Sequence, residues 1–148
     1  MIIGGLRKFS LIDYPGKTSA VIFTVGCDFR CRYCHNPELV IPEKYTSEIP
    51  LSEIYDFLES RRGKLDGVCV TGGEPTLHED LPEMLEKIKS MGFLVKLDSN
   101  GGNPEALKNF IDKGLVDYIA MDIKAPFEDY PKITGRPASV EKLKESIG

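Results

Sequence analysis

Apolar residues fall into two alternating kinds of run along the chain. Four short runs are rich in β-branched and apolar residues: AVIFTV (Ala20–Val25), GVCVT (Gly67–Thr71), FLVKLD (Phe93–Asp98) and YIAMDI (Tyr118–Ile123). Near-continuous runs of this kind predict strands buried on both faces. Between and after them, apolar residues recur at helical spacing. Leu51, Ile54, Tyr55 and Leu58 mark a first helix, and Leu81, Met84, Leu85 and Ile88 a second. The second is expected to use Asp80 as N-cap, with Glu83 three positions on and Gly92 just past its end. A third opens at NPEA, with Asn103 as cap and Pro104 at the first helical position, and buries Leu107, Phe110 and Ile111 before Gly114 ends it. A fourth starts near Ser139 and uses Val140, Leu143 and Ile147.

The later strand starts are spaced by roughly 25 residues, the size of one parallel crossover unit. The chain is therefore expected to be α/β, with about four β/α units, a parallel sheet and a single domain over residues 1–148. A short N-terminal segment, turning at Pro15 and Gly16, precedes them. In such folds ligands gather at the C-terminal ends of the strands, so the segments just after each strand are where chemistry is sought.

Composition narrows the classes. Of 148 residues, 41% are hydrophobic and 28% charged, an ordinary globular balance. The net charge of −4 offers no electrostatic footprint for nucleic acid. The longest apolar-rich run, AVIFTVGC, is too short for a membrane span, and MIIGGLRKFSLIDYPGK reads as no signal peptide. The expected compartment is the reducing cytoplasm, where clustered cysteines bind metals or catalyse rather than form disulfides.

Each strand end then carries candidate chemistry. After the first come Cys27, Cys31 and Cys34 in CDFRCRYCHNPE. Iron–sulfur clusters are held by thiolates, and three thiolates leave one iron of a [4Fe–4S] cubane open. A structural zinc site needs a fourth ligand, and His35, adjacent to Cys34, is poorly spaced to supply it. A non-enzymatic iron–sulfur or zinc module is the alternative of another class. After the second strand comes TGGEPTL, whose glycines allow close backbone approach or simply a tight turn. After the third comes DSNGG, where Asp98 and Asn100 can serve turn chemistry. After the fourth, Asp122 and Lys124 project to one side of the strand, where they can form a rim salt bridge.

The spacing CxxxCxxC, with Tyr33 before the last cysteine, resembles that of the radical S-adenosylmethionine (SAM) enzymes. In that family SAM chelates the open iron, and reductive cleavage of its C–S bond releases a 5′-deoxyadenosyl radical. Gly72, Gly73, Glu74 and Pro75 match the family's GGEP motif, whose backbone binds the SAM amino group, and Glu74 would hold that loop or the amine. Asp98, Ser99 and Asn100, with Asp122 and Lys124, resemble the DTNG and DxK elements of the activating enzymes of glycyl-radical proteins. The resemblance implies that Lys124 binds the SAM carboxylate. It also implies that Asp98, Ser99 and Asp122 can surround a monovalent cation. Tyr33 and Asn100 join the expected cofactor contacts.

The stretch SLIDYPGK, the run CHNPEL, and DIKAP followed by Tyr130, Thr134 and Gly135 look like the activating proteins of anaerobic ribonucleoside-triphosphate reductase. That resemblance implies a radical SAM oxidoreductase that takes a hydrogen from a glycine Cα of its protein substrate. It also implies a flavodoxin- or ferredoxin-like electron donor. The alternatives are an activase of another glycyl-radical enzyme, of the pyruvate formate-lyase type, or an enzyme acting on a small molecule. The family core resembles a partial TIM-like barrel of six β/α units, against four here. The chain is thus expected to be short of that core and to have an open sheet edge that pairs with a substrate protein or a second copy.

Other conspicuous residues receive plainer expectations. Cys69 is expected in the core, His35 in support of the cysteine loop, and His78 at the surface or in a cap. Arg30 and Arg32 are expected on a solvated face, with reductant docking as the other reading. Tyr14 is expected to pack under the cysteine loop, with anchoring of the N-terminal turn as the other reading.

Overall fold

All four runs form strands within two residues of expectation, and a fifth strand precedes them. In the computed structural model, which describes residues 1–45 and 48–148, the strands are β1 (Ile3–Ser10), β2 (Ser19–Thr24), β3 (Gly67–Gly72), β4 (Leu94–Ser99) and β5 (Tyr118–Met121). They lie side by side in chain order in one sheet. β2 to β5 are parallel, and β1 runs antiparallel to β2 with two register shifts. The N-terminal segment, expected only as a short stretch turning at Pro15 and Gly16, thus supplies a strand of its own. β1 shows no apolar alternation because it is an edge strand buried only at its two ends, Ile3 and Ser10.

The helices are α1 (Pro37–Val40), α2 (Leu51–Ser60), α3 (Leu81–Ser90), α4 (Pro104–Asp112), α5 (Tyr130–Thr134) and α6 (Val140–Ile147). Apolar residues of α2, α3 and α4 pack on one face of the sheet, against Ala20, Ile22, Val68, Val70, Val95 and Leu97. Burying that stripe is what makes these short helices stable. At α4, Asn103 Oδ1 accepts from Ala106 N at 3.3 Å and Pro104 follows, as expected. At α3 the expected cap fails: the Asp80 carboxylate takes the Met1 amine at 2.5 Å instead of a helix N–H. Ile111 and Ile147 were expected in the core but turn outward, at 58% and 57% exposed.

The opposite face of the sheet is different. Register places Val21, Cys69 and Lys96 in one row, continued by Tyr118. Tyr14 covers this row near the start of β5, its ring edge-on to Tyr118 at 6.1 Å. It therefore packs at the end of the sheet opposite the cysteine loop, not beneath that loop. Cys69 is fully buried, as expected.

Candidate cofactor site

The cysteine loop leaves β2 and folds back over the strand ends. Cys27, Cys31 and Cys34 are half-buried free thiols. Burial pushes the Cys27 thiol up to about 12 and raises Cys31 as well. The loop sits on a small apolar cluster of Phe29, Tyr130 and Leu143, separate from the main core. Arg30 N donates to Thr134 O at 2.7 Å. Gly135, in the left-handed region at φ 64°, lies so close that an added Cβ would fall 2.7 Å from Arg30 O. The Arg30 guanidinium turns inward and donates to Cys27 O at 2.5 Å and Phe29 O at 2.7 Å. Arg30 is therefore a loop brace rather than a solvated charge; Arg32 is exposed.

The GGEP segment locks onto this loop through its backbone. Gly73 N donates to Thr24 O at 2.9 Å, and Glu74 N donates to Gly26 O at 2.7 Å. A Cβ on Gly73 would stand 1.9 Å from Gly26 O, which only glycine permits. Glu74 is buried and ties the ends of β3 and β4 together. Its Oε1 accepts from Thr76 N at 3.2 Å, Thr76 Oγ1 at 2.6 Å and Ser99 Oγ at 2.9 Å, and its Oε2 accepts from Asn100 N at 2.6 Å. Burial nevertheless raises its pKa. Of its two expected roles, Glu74 fills the one of holding the loop.

Asn100 reaches the other way, donating from Nδ2 to Asp28 Oδ1 of the cysteine loop at 2.8 Å. Asp122 and Lys124 form an ion pair on the rim. Burial alone would lower the Lys124 ammonium, and the Asp122 carboxylate on it outweighs this and holds it above its ordinary value. Tyr33 donates to Lys124 O at 2.9 Å, and Lys124 N donates to the Tyr130 hydroxyl at 3.0 Å. The lysine backbone is thus pinned from both sides. Asp98 is paired with Lys96, which lies deeper on the same strand.

These groups enclose one cavity of about 320 Å³. Twelve of the thirteen expected site residues line it; Pro75 does not, lying buried at the start of a 3₁₀ turn. The expected cation set, Asp98, Ser99 and Asp122, lines this cavity, with each side chain already partnered. The Ser99 hydroxyl faces Glu74, Asp98 faces Lys96, and Asp122 faces Lys124. His35 also lines the cavity from an exposed position. His78 is half-buried beside the Met1 amine rather than at the surface, and burial lowers its pKa.

Residues 21–148 match the family model of the radical SAM superfamily. The chain belongs to that superfamily. As a radical SAM protein it is 38% identical over 149 residues to a Methanocaldococcus jannaschii protein named as a candidate glycyl-radical enzyme activating enzyme, covering 99% of this chain and 60% of that one. It is 31% identical over 146 residues to the pyruvate formate-lyase-activating enzyme of Staphylococcus epidermidis, covering 89% of this chain and 57% of that one. The chain therefore spans about 60% of the length of these curated relatives. Its fold is similar to that of TYW1 with a lysine–pyruvate adduct bound, at a TM-score of 0.56, 16% identity, and coverage of 87% of this chain and 49% of that one.

Membership implies a [4Fe–4S] cluster and SAM as cofactors of this radical SAM chain. The residues present fit them. Three thiols of one loop open on one cavity. Among the described residues, no three His, Cys, Asp or Glu side chains converge as ligands of a single metal ion. A cubane makes a different demand, because each thiolate takes its own iron. Sequence reasoning missed Asp28 and Lys96 and saw Tyr130 and Thr134 only through resemblance. A lysine in the middle of an apolar strand was the available signal for Lys96.

Proposed function

We propose that this chain carries the radical SAM core of a glycyl-radical enzyme activase whose protein substrate is an anaerobic ribonucleotide reductase. The observation that supports it best is the convergence of three cysteine thiols with the GGEP backbone, Asp98 and Lys124 on one cavity. In this reading Cys27, Cys31 and Cys34 hold the cluster. When bound, the cluster supplies the electron that cleaves SAM to a 5′-deoxyadenosyl radical, which abstracts a glycine Cα hydrogen from the substrate protein.

The chain's own groups bind and orient. Lys124, pinned at its backbone by Tyr33 and Tyr130, presents its ammonium to the SAM carboxylate. Gly72 and Gly73 line the cavity and present their backbone to the SAM amine, and Glu74 keeps that loop in place. A groove lined by Arg32, Lys44, Cys31 and Cys34 adjoins the loop and suits an acidic flavodoxin- or ferredoxin-like donor. No helix among the described residues is long and apolar enough to cross a membrane, and we place the protein in the cytoplasm.

The pyruvate formate-lyase type remains the second reading, favoured by the 31% identical Staphylococcus relative. The test is anaerobic. Reconstituted protein, reductant and SAM are mixed with a ribonucleotide reductase or a pyruvate formate-lyase, and EPR is recorded. A glycyl-radical doublet on the reductase alone supports the first reading, and one on the lyase alone supports the second. Zinc in place of iron and sulfide, with no 5′-deoxyadenosine released, overturns both and leaves a structural metal module.

A further inference from the structure

We propose that Lys96 is the resident counter-cation of Asp98: a positioning residue that supplies a fixed ammonium from within the sheet, so that the SAM site needs no sodium or potassium ion there. The inference rests on the SAM reading of the cavity given above.

Lys96 and Asp98 are two residues apart on β4 and so project from one face. Asp98 lines the cavity, and Lys96 lies beneath it at 7% exposed. Lys96 Nζ is ion-paired with Asp98 Oδ1 and stands 3.6 Å from Cys69 Sγ. Cys69 Sγ in turn contacts Asp98 Oδ2 at 3.5 Å. Each oxygen of the carboxylate is therefore held from below by a group of the sheet.

A buried ion pair is a poor device for stability, because apolar residues of similar size serve as well or better. What the pair does supply is a carboxylate of fixed orientation whose charge is already balanced. Asp122, on the neighbouring strand end, is balanced in the same way by Lys124. The Ser99 hydroxyl already donates to Glu74 and accepts from Gly101 N at 3.1 Å. Asp98 and Asp122, the two carboxylates a shared cation would bridge, thus each carry an ammonium already. The zwitterionic amino-acid end of SAM suits a wall of this kind.

The test is calorimetric titration of SAM into the anaerobically reconstituted protein, in potassium chloride, sodium chloride or tetramethylammonium chloride at equal ionic strength. Tetramethylammonium is too large to replace a desolvated potassium ion. Wild-type affinity is expected to be equal in the three salts within about twofold. Lys96→Met is expected to bind about tenfold more weakly in tetramethylammonium, the order of one unpaired half-buried charge, and to recover in potassium or sodium. Lys96→Arg keeps the charge and stays salt-independent.

Loss of wild-type affinity in tetramethylammonium overturns the inference, and that arm decides it even if Lys96→Met fails to fold. Lys96→Met binding equally in all salts also overturns it. Absence of SAM binding in every salt overturns the SAM reading itself, whereas SAM binding that requires potassium or sodium overturns only the role of Lys96.

Discussion

Replacing Glu74 tests whether one buried carboxylate holds the site together. Glu74→Ala removes the acceptor of four hydrogen bonds. The Thr76 and Ser99 hydroxyls can rotate to other partners, but the N–H groups of Thr76 and Asn100 cannot. Each orphaned buried N–H costs about 1–3 kcal/mol, which gives about 2–6 kcal/mol for the two. That is a large share of the roughly 5–15 kcal/mol available to a small domain. Glu74→Gln keeps an oxygen for the three donors on Oε1 and turns an amide NH₂ toward Asn100 N. One N–H is then orphaned, at about 1–3 kcal/mol, toward the low end because burial already disfavours the charge that is removed. Guanidinium unfolding of the cluster-free protein, followed by circular dichroism, measures both. A loss below about 1 kcal/mol for the alanine variant, or equal losses for the two, refutes the assignment of Glu74 as the tie between β3 and β4.

Four further outcomes are expected. Gly73→Ala pushes its Cβ into Gly26 O and separates the GGEP loop from the cysteine loop, so iron incorporation and SAM binding both fall, as read by iron analysis and calorimetry. Tyr130→Phe orphans Lys124 N and destabilises by about 1–3 kcal/mol in thermal melts, while weakening SAM binding more than cluster binding. Cys31→Ala abolishes the cluster absorbance and SAM cleavage together, whereas Lys124→Ala keeps the absorbance and weakens SAM affinity. Asp66 accepts from Thr18 N and Oγ1, which lowers its pKa. Its contribution is present above the unfolded value and lost as pH falls through the lowered folded value, so Asp66→Asn flattens the acid limb of the stability profile, read by unfolding at successive pH values.

Much of the fold was legible because β2 to β4 are buried and carry continuous apolar runs; β5 has such a run too, but at the sheet edge none of its residues is fully buried, contrary to expectation. β1 was not, since an edge strand paired on one side needs few buried side chains and its IGGLRKFS shows no period. Asp80 has the spacing of a cap, but the amine that claims it sits 79 residues away in sequence. Local pattern cannot register such a competitor. Ile111 and Ile147 lie in the last turns of α4 and α6 and are exposed there, while Leu107, Phe110 and Leu143 carry the burial. The site residues were legible by type, because each stands at the C-terminal end of a strand or in the loop that follows it. Their pairings were not. Lys96 under Asp98 and Asn100 on Asp28 are products of strand register and loop path, which no single segment encodes.

The seating of the cysteine loop has a consequence for the order in which the protein is made. Cys27, Cys31 and Cys34 leave the ribosome early, but Tyr130, Thr134 and Leu143, on which their loop rests, come about a hundred residues later. At roughly 5–20 residues per second, the thiols wait on the order of 5–20 s before that seat exists. During this interval they are three ordinary cysteines on an unfinished chain, open to stray zinc or to oxidation. A correctly spaced trio forms only once the polypeptide beyond β5 has folded back, which makes cluster delivery a step for the assembled domain rather than the nascent one.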